Sequence, residues 1–158
     1  MANLSRKQSR ELLFKMLLPL SFKTTGDFNE ILQTALENDT IQPPEQEYIE
    51  KTYNAVNTNL NEIDNELKSV CVKAPFSRLS MTNLTALRLS FGEFHFAETA
   101  PLAVSVNECV SLAKKYGEEG DGILVNGILA DLIKKLGASD INGNPAQAND
   151  EASDEQQK

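Results

Sequence analysis

Prolines and glycines cut this chain into short segments whose apolar spacing is helical. Gly26-Asp27, the run Gln42-Pro43-Pro44-Glu45, Pro75, Pro101 and the glycines between 117 and 122 act as breaks. Between the breaks, apolar residues recur three and four apart. Sustained alternation is absent, as is any Asn-Gly hairpin between β-branched runs. The spacing predicts helices at 5–22, 27–38, 45–58, 60–71, 81–98, 102–116 and 121–136. Pro44 and Glu45 suit a first helical turn. Pro19 should kink or end the first helix, because its ring clashes with the preceding turn. The short connections imply a compact all-α bundle. No repeat of fixed period is present.

The 158 residues, 41% of them hydrophobic, suit one domain with one core. No apolar run reaches the ~18 residues of a membrane span. The start, with Arg6, Lys7 and Arg10 before "LLFKMLLPLSF", faintly resembles a signal peptide. Lys15 interrupts its apolar run and no small-residue cleavage site follows, which argues against one. Cys71 and Cys109 lie far apart in apolar surroundings without a C-x-x-C, so buried, reduced thiols in a cytoplasmic protein are expected. The stretch 138–158 is polar and acidic, with Ile141 its one large apolar residue. It should be a disordered tail behind a helical domain at 1–137.

The net charge of -8 argues against nucleic acid, but its distribution does not. Residues 1–23 carry +4 and 71–117 carry +2, whereas 24–70 carry -8 and 118–158 carry -6. Screening acts over about 10 Å, so a local basic patch can work on an acidic protein.

Catalytic constellations are missing. The single histidine, His95, sits between Phe94 and Phe96 and reads as a core or boundary residue. One histidine and two distant cysteines make no metal-ligand set. No phosphate loop or nucleophile-elbow motif occurs, and no strand precedes the glycines at 117–122. Glu118-Glu119 reads as a solvated loop pair. Neither a catalytic residue nor a cofactor is expected.

The first helix is more informative. At 100° per residue, Arg6, Lys7 and Arg10 share an arc of about 100° that continues into Phe14 and Leu17. Ser5 and Gln8 fit a capping box, which places the three cations in the first turns. A helix start with outward cations suits phosphate; a solvated, frayed terminus is the plain alternative. Arg88 reads as a paired, partly buried arginine.

In the sixth helix Leu102, Val106, Cys109, Val110, Ala113 and Tyr116 share one face. Asn107 and Lys114 flank that face, while Glu108 and Lys115 point away from it. In the seventh, Asp121 is a candidate N-cap, Asn126 lies at the margin of the core stripe, and Gly127 predicts a close helix contact. Periodicity alone makes this pair of helices packing, not a site.

"PLAVSVNECVSLAKKYG" followed by "LVNGILADLI" closely resembles the C-terminal signature of the NusB family of bacterial transcription antitermination factors. "LTALRLSFGEF", through Leu87, Arg88 and Glu93, and "SRKQSRELLFKML" are similar to earlier helices of that family. The resemblance implies a NusB-like fold of two packed three-helix bundles. It implies binding of single-stranded boxA RNA jointly with the ribosomal protein also called NusE, within an antitermination complex of other Nus factors and RNA polymerase. That complex acts chiefly on ribosomal RNA operons.

By position, the resemblance assigns RNA contacts to Arg6, Lys7 and Arg10, and to the loop at Asp121 and Leu124, with Lys114 a further candidate. Leu18, Asn83 and Glu93 would face or support the protein partner. Asn107, Glu108 and Asn126-Gly127 become structural marks. The family's usual loop aromatic is Leu124 here, and its usual acid is Gly120, with Asp121 one residue later. An aromatic lost from such a loop is a base-stacking surface lost. A tyrosine and an acid common on the partner face are Leu18 and Asn83 here.

Three other readings share the fold. One is a protein-interaction module with weak or lost RNA binding. Another is the RNA-binding front end of a ribosomal RNA methyltransferase, for which the sequence supplies no α/β cofactor-binding segment. The third is a self-associated homodimer, since the first helix and the loop region would expose apolar surface.

Overall fold

The computed structural model describes residues 3–22 and 26–137; the expected tail at 138–158 lies outside them. Seven α-helices follow one another among the described residues: α1 (Arg6–Leu17), α2 (Phe28–Leu36), α3 (Pro43–Thr58), α4 (Leu60–Val70), α5 (Met81–Phe91), α6 (Leu102–Tyr116) and α7 (Asp121–Leu136). Among the described residues, the only extended pairing is a single bridge between Asn3 and Thr40.

Local chemistry sets the helix ends. Ser5 Oγ accepts the Gln8 N–H at 3.1 Å and Gln8 Oε1 accepts the Ser5 N–H at 2.9 Å, a reciprocal capping box. Helix α1 ends at Leu17, and a 3-10 segment, Leu18–Phe22, carries Pro19. The expected fifth helix is two pieces: α5 stops at Phe91, and a π-helical segment, Gly92–Ala97, continues it. Glu98 closes this segment at φ 53°, and the Thr99 N–H donates to the Glu93 carbonyl at 3.0 Å. A Cβ on Gly92 would lie 2.3 Å from Val56 Cγ2, so a bare backbone is what lets α3 press against this turn.

Helix α5 is the hub. Every residue from Thr85 to Phe91 is buried, and the helix packs against α1, α3, α4, α6 and α7. On one side, α1 holds α2 and α3; on the other, α7 holds α4 and α6. Phe14, Leu17, Ile49, Val56, Ile63, Leu87, Leu129 and Leu132 belong to one continuous core between the two groups.

Two local expectations fail for physical reasons. Asp121 does not cap α7: Gly120 does, at φ 93°, and Asp121 is the first helical residue, its Oδ2 accepting the Glu118 N–H at 2.7 Å. Gly127 makes no close contact; a Cβ there would meet nothing within 4 Å among the described residues. It lies on the outer side of a helix whose inner stripe is Val125, Ile128, Leu129 and Leu132. Glu108 and Lys115 do lie off the core face of α6, and α1 takes both in ion pairs there.

Other expectations divide. Cys109 is buried as expected while Cys71 is only half-buried, and both are free thiols. His95 is exposed, its ring against Phe91 and Phe96 at 5.1 and 4.9 Å. Arg88 is paired: its Nε and Nη2 donate to the two Asp64 carboxylate oxygens at 2.9 and 2.8 Å. No helix among the described residues is long and apolar enough to cross a membrane.

Candidate nucleic-acid interface

The three cations of the first helix part company. Arg6 leans onto α3, where its Nε donates to Glu45 Oε1 at 2.7 Å and its guanidinium lies 4.2 Å over the Tyr48 ring. Lys7 leans the other way, toward Glu108 of α6 at 3.5 Å, and leaves 74% of its side chain in solvent.

Arg10 goes inward. Its Nε donates to Glu93 Oε2 at 2.7 Å, and 4% of its side chain is exposed. The expected contact between Arg10 and RNA is therefore corrected. Its position four residues before Phe14 and seven before Leu17 puts it at the head of the core stripe, where a counter-charge holds it.

That counter-charge is itself a hub. Glu93 is fully buried in the π-helical segment. It accepts from Arg10, from the Tyr48 hydroxyl and, through Oε1, from Ser105 Oγ at 2.7 Å. Burial works against the charged form of Arg10, but the charge and hydrogen bond of Glu93 outweigh it and raise its pKa. Burial first, and then the negative charge of Glu93, push the Tyr48 hydroxyl and the Cys109 thiol up. The network ties α1, α3, the π-helical segment and α6 together. Glu93 does not face a protein partner from there, and neither does Asn83, which is buried on α5; of the expected facing or supporting roles, only support from within the fold fits either residue. Leu18 is half-buried in the 3-10 segment after α1.

The face that remains runs from the start of α1 along α6 to the start of α7. Lys114 is exposed, and its aliphatic stem crosses the first turn of α7. A Cβ on Gly122 would lie 2.5 Å from Lys114 Cγ, so the glycine makes this crossing possible. Lys114 thus stands beside the first turn of α7, which begins at Asp121. Leu124 is half-buried against the core, while its neighbour Ile123 is 79% exposed.

The sequence reading missed two residues of this face. Lys115 Nζ donates to Glu11 Oε2 at 2.7 Å, and the Tyr116 hydroxyl donates to the same carboxylate. The Tyr116 ring stacks on Phe14 with centroids 5.5 Å apart and stays partly exposed. Heptad-type spacing put Tyr116 in the core face and Lys115 outside it. The signal that could have found them is the opposite charge of Glu11, one turn after Lys7.

The fold and this face define a class: an all-helical two-bundle protein with exposed lysines, two of them paired with carboxylates, along one seam. The NusB family profile matches residues 7–134. The transcription antitermination protein NusB of Clostridium novyi (strain NT) is 38% identical over 133 residues, covering 83% of this chain and 99% of that one. Its counterpart of the same name from Clostridium acetobutylicum is 35% identical over 130 residues, covering 82% and 96%. Among solved structures, T. maritima NusB matches with a TM-score of 0.74 at 30% identity, covering 84% of this chain and 93% of that one. A chain from a crystal structure of antitermination factors NusB and NusE in complex with dsRNA matches at 0.71 and 26%, covering 82% and 96%. The chain belongs to the NusB family.

Proposed function

We propose that this chain is a transcription antitermination factor that binds single-stranded boxA-type RNA together with the ribosomal protein NusE, in complexes that carry RNA polymerase through ribosomal RNA operons. Other Nus factors would join that complex. The observation that carries the reading is the seam itself: Lys7, Lys114 and Lys115 expose their ammonium groups along one face that ends at the α7 loop. Basic side chains in a row match a phosphate backbone. Specific RNA recognition usually targets unstacked single strands, which stack on exposed side chains. Tyr116 offers a partly exposed aromatic ring for such stacking beside the lysines, and Ile123 an apolar contact.

A second reading, an interaction module with weak RNA binding, is favoured by one observation. Arg6, Lys7 and Lys115 are each engaged by a carboxylate.

Fluorescence anisotropy with a short boxA-like RNA and a scrambled control, with and without NusE, separates the two. Selective binding that tightens with NusE is the result expected. Equal binding to both RNAs, or none with NusE present, supports the interaction module instead. Sedimentation of the free chain in the same buffer tests for a homodimer.

A further inference from the structure

Two ion pairs cross the seam between α1 and α6 as rungs of opposite polarity. Lys7 of α1 reaches Glu108 of α6 at 3.5 Å; Lys115 of α6 reaches Glu11 of α1 at 2.7 Å. Between them lies a cleft of about 90 Å³, with Lys7, Glu11, Glu108, Ser111 and Lys115 around it and Arg10 beneath. The cleft is small, on the scale of one phosphate group rather than a nucleobase.

The two sides of each rung differ in exposure. The side chains of Lys7 and Lys115 are 74% and 60% exposed, whereas those of Glu108 and Glu11 are 31% and 23% exposed. The carboxylates are set into the seam and the ammonium groups sit at its mouth. Burial alone would raise the Glu11 pKa, but hydrogen bonds from Lys115 and Tyr116 outweigh it and hold it below the usual carboxylate range. The acid is therefore charged at neutral pH. Exposed pairs of this kind contribute little to folding stability, which leaves the rungs free to be exchanged.

We propose that this cleft is a phosphate seat on the RNA path and that Glu108 and Glu11 are built-in competitors for it. On binding, Lys7 and Lys115 exchange their carboxylates for an RNA phosphate, and the Ser111 hydroxyl donates to it. The inference rests on the RNA-binding reading above. It has a consequence that a simple basic patch lacks. A lysine that neutralises a phosphate normally displaces a condensed counterion, about 0.7 per contact on a single strand. Here each exchange also leaves a carboxylate that attracts cations weakly, and breaks a pair that salt already loosens, so the net salt dependence falls below that value. The seat then adds little affinity for a phosphate met alone and works on RNA already held by neighbouring groups.

The test is anisotropy of the full chain with a short boxA-like RNA between 50 and 300 mM KCl. Glu108→Gln, Glu11→Gln and the double variant are compared with wild type. Each single variant should bind about two- to fivefold tighter at 50 mM, the range set by the strength of an exposed pair. The slope of log affinity against log salt should steepen, by at most about 0.7 per pair removed.

Glu66→Gln is the charge control. It breaks the pair with Lys135 near the far end of α7 and should change neither quantity. Thermal melts follow folding. Should Glu11→Gln unfold, Glu108→Gln decides alone, because its pair is the longer and more exposed. Folded variants with wild-type affinity and slope would overturn the seat while leaving the RNA-binding reading intact. Tightening by Glu66→Gln to the same degree would also overturn it, as a general charge effect. A wild-type chain that binds no RNA, with or without NusE, would overturn both.

Discussion

Arg10 of α1 and Glu93 of the π-helical segment meet at 2.7 Å where neither side chain exposes more than 4% of its surface. They lie 83 residues apart in sequence. A charge left alone in such a place cannot be solvated, so removing either partner costs more than the pair contributes when intact. Glu93→Ala and Arg10→Ala should each destabilise by about 3–5 kcal/mol in urea denaturation. The double variant should lose less than the sum, because the second substitution removes the stranded charge. Additive losses would show that the two residues act independently.

Two glycines should respond in opposite directions to alanine. At Gly92 a Cβ would sit 2.3 Å from Val56 Cγ2, so α3 must shift, and Gly92→Ala should lose about 1–3 kcal/mol. At Gly127 nothing lies within 4 Å among the described residues, so Gly127→Ala should gain about 0.5–1 kcal/mol through helix propensity alone. Urea midpoints of the two variants check both signs.

Alkaline pH should loosen the fold early. The Cys109 thiol and the Tyr48 hydroxyl are both pushed up, by burial first and by Glu93 second. In the unfolded chain they titrate near about 8.5 and 10. Above each of those values the unfolded chain has lost a proton that the folded chain keeps, so stability falls as pH rises. The contribution is complete below about pH 8.5. It then declines by about 1.4 kcal/mol per pH unit for each group titrating only in the unfolded state. Urea midpoints measured from pH 7 to 10.5 should show this decline. In Cys109→Ala the decline between about pH 8.5 and 10 should become shallower, with Cys71, whose thiol burial also pushes up, supplying what remains.

Lys114 should behave as a simple phosphate contact. It makes no ion pair among the described residues, so no carboxylate has to be displaced. Lys114→Ala should weaken RNA binding and flatten the salt slope by about 0.7, with stability within about 0.5 kcal/mol of wild type. An unchanged slope would take Lys114 off the RNA path.

The helices were legible because each is punctuated and periodic: α6 and α7 begin and end where Pro101, the 117–122 glycines and the apolar stripe put them. The π-helical segment was not, since "FGEFHF" keeps a helical apolar spacing whichever way its backbone winds. The candidate site was half legible. Arc arithmetic grouped Arg6, Lys7 and Arg10 correctly about the axis of α1. What surrounds that axis is tertiary: α3 takes Arg6, α6 takes Lys7, and the core takes Arg10. Arg10 could have been suspected from its place above Phe14 and Leu17. Which acid would meet it could not, because Glu93 reaches it only through the fold. Lys115 and Tyr116 were hidden for the same reason, since an outward position on one helix becomes a seam once a second helix lies against it.

The central claim is that RNA lies along the α1–α6–α7 seam. Backbone amide chemical-shift mapping of the full chain with a short single-stranded boxA-like RNA tests it most directly, with NusE added in a second titration. The account predicts the largest shifts at Arg6–Lys7, Ser111–Tyr116 and Asp121–Leu124, with Arg10 and Glu93 moving less than their exposed neighbours. Shifts centred on α2 or the far end of α7, or no shifts even with NusE present, would contradict it.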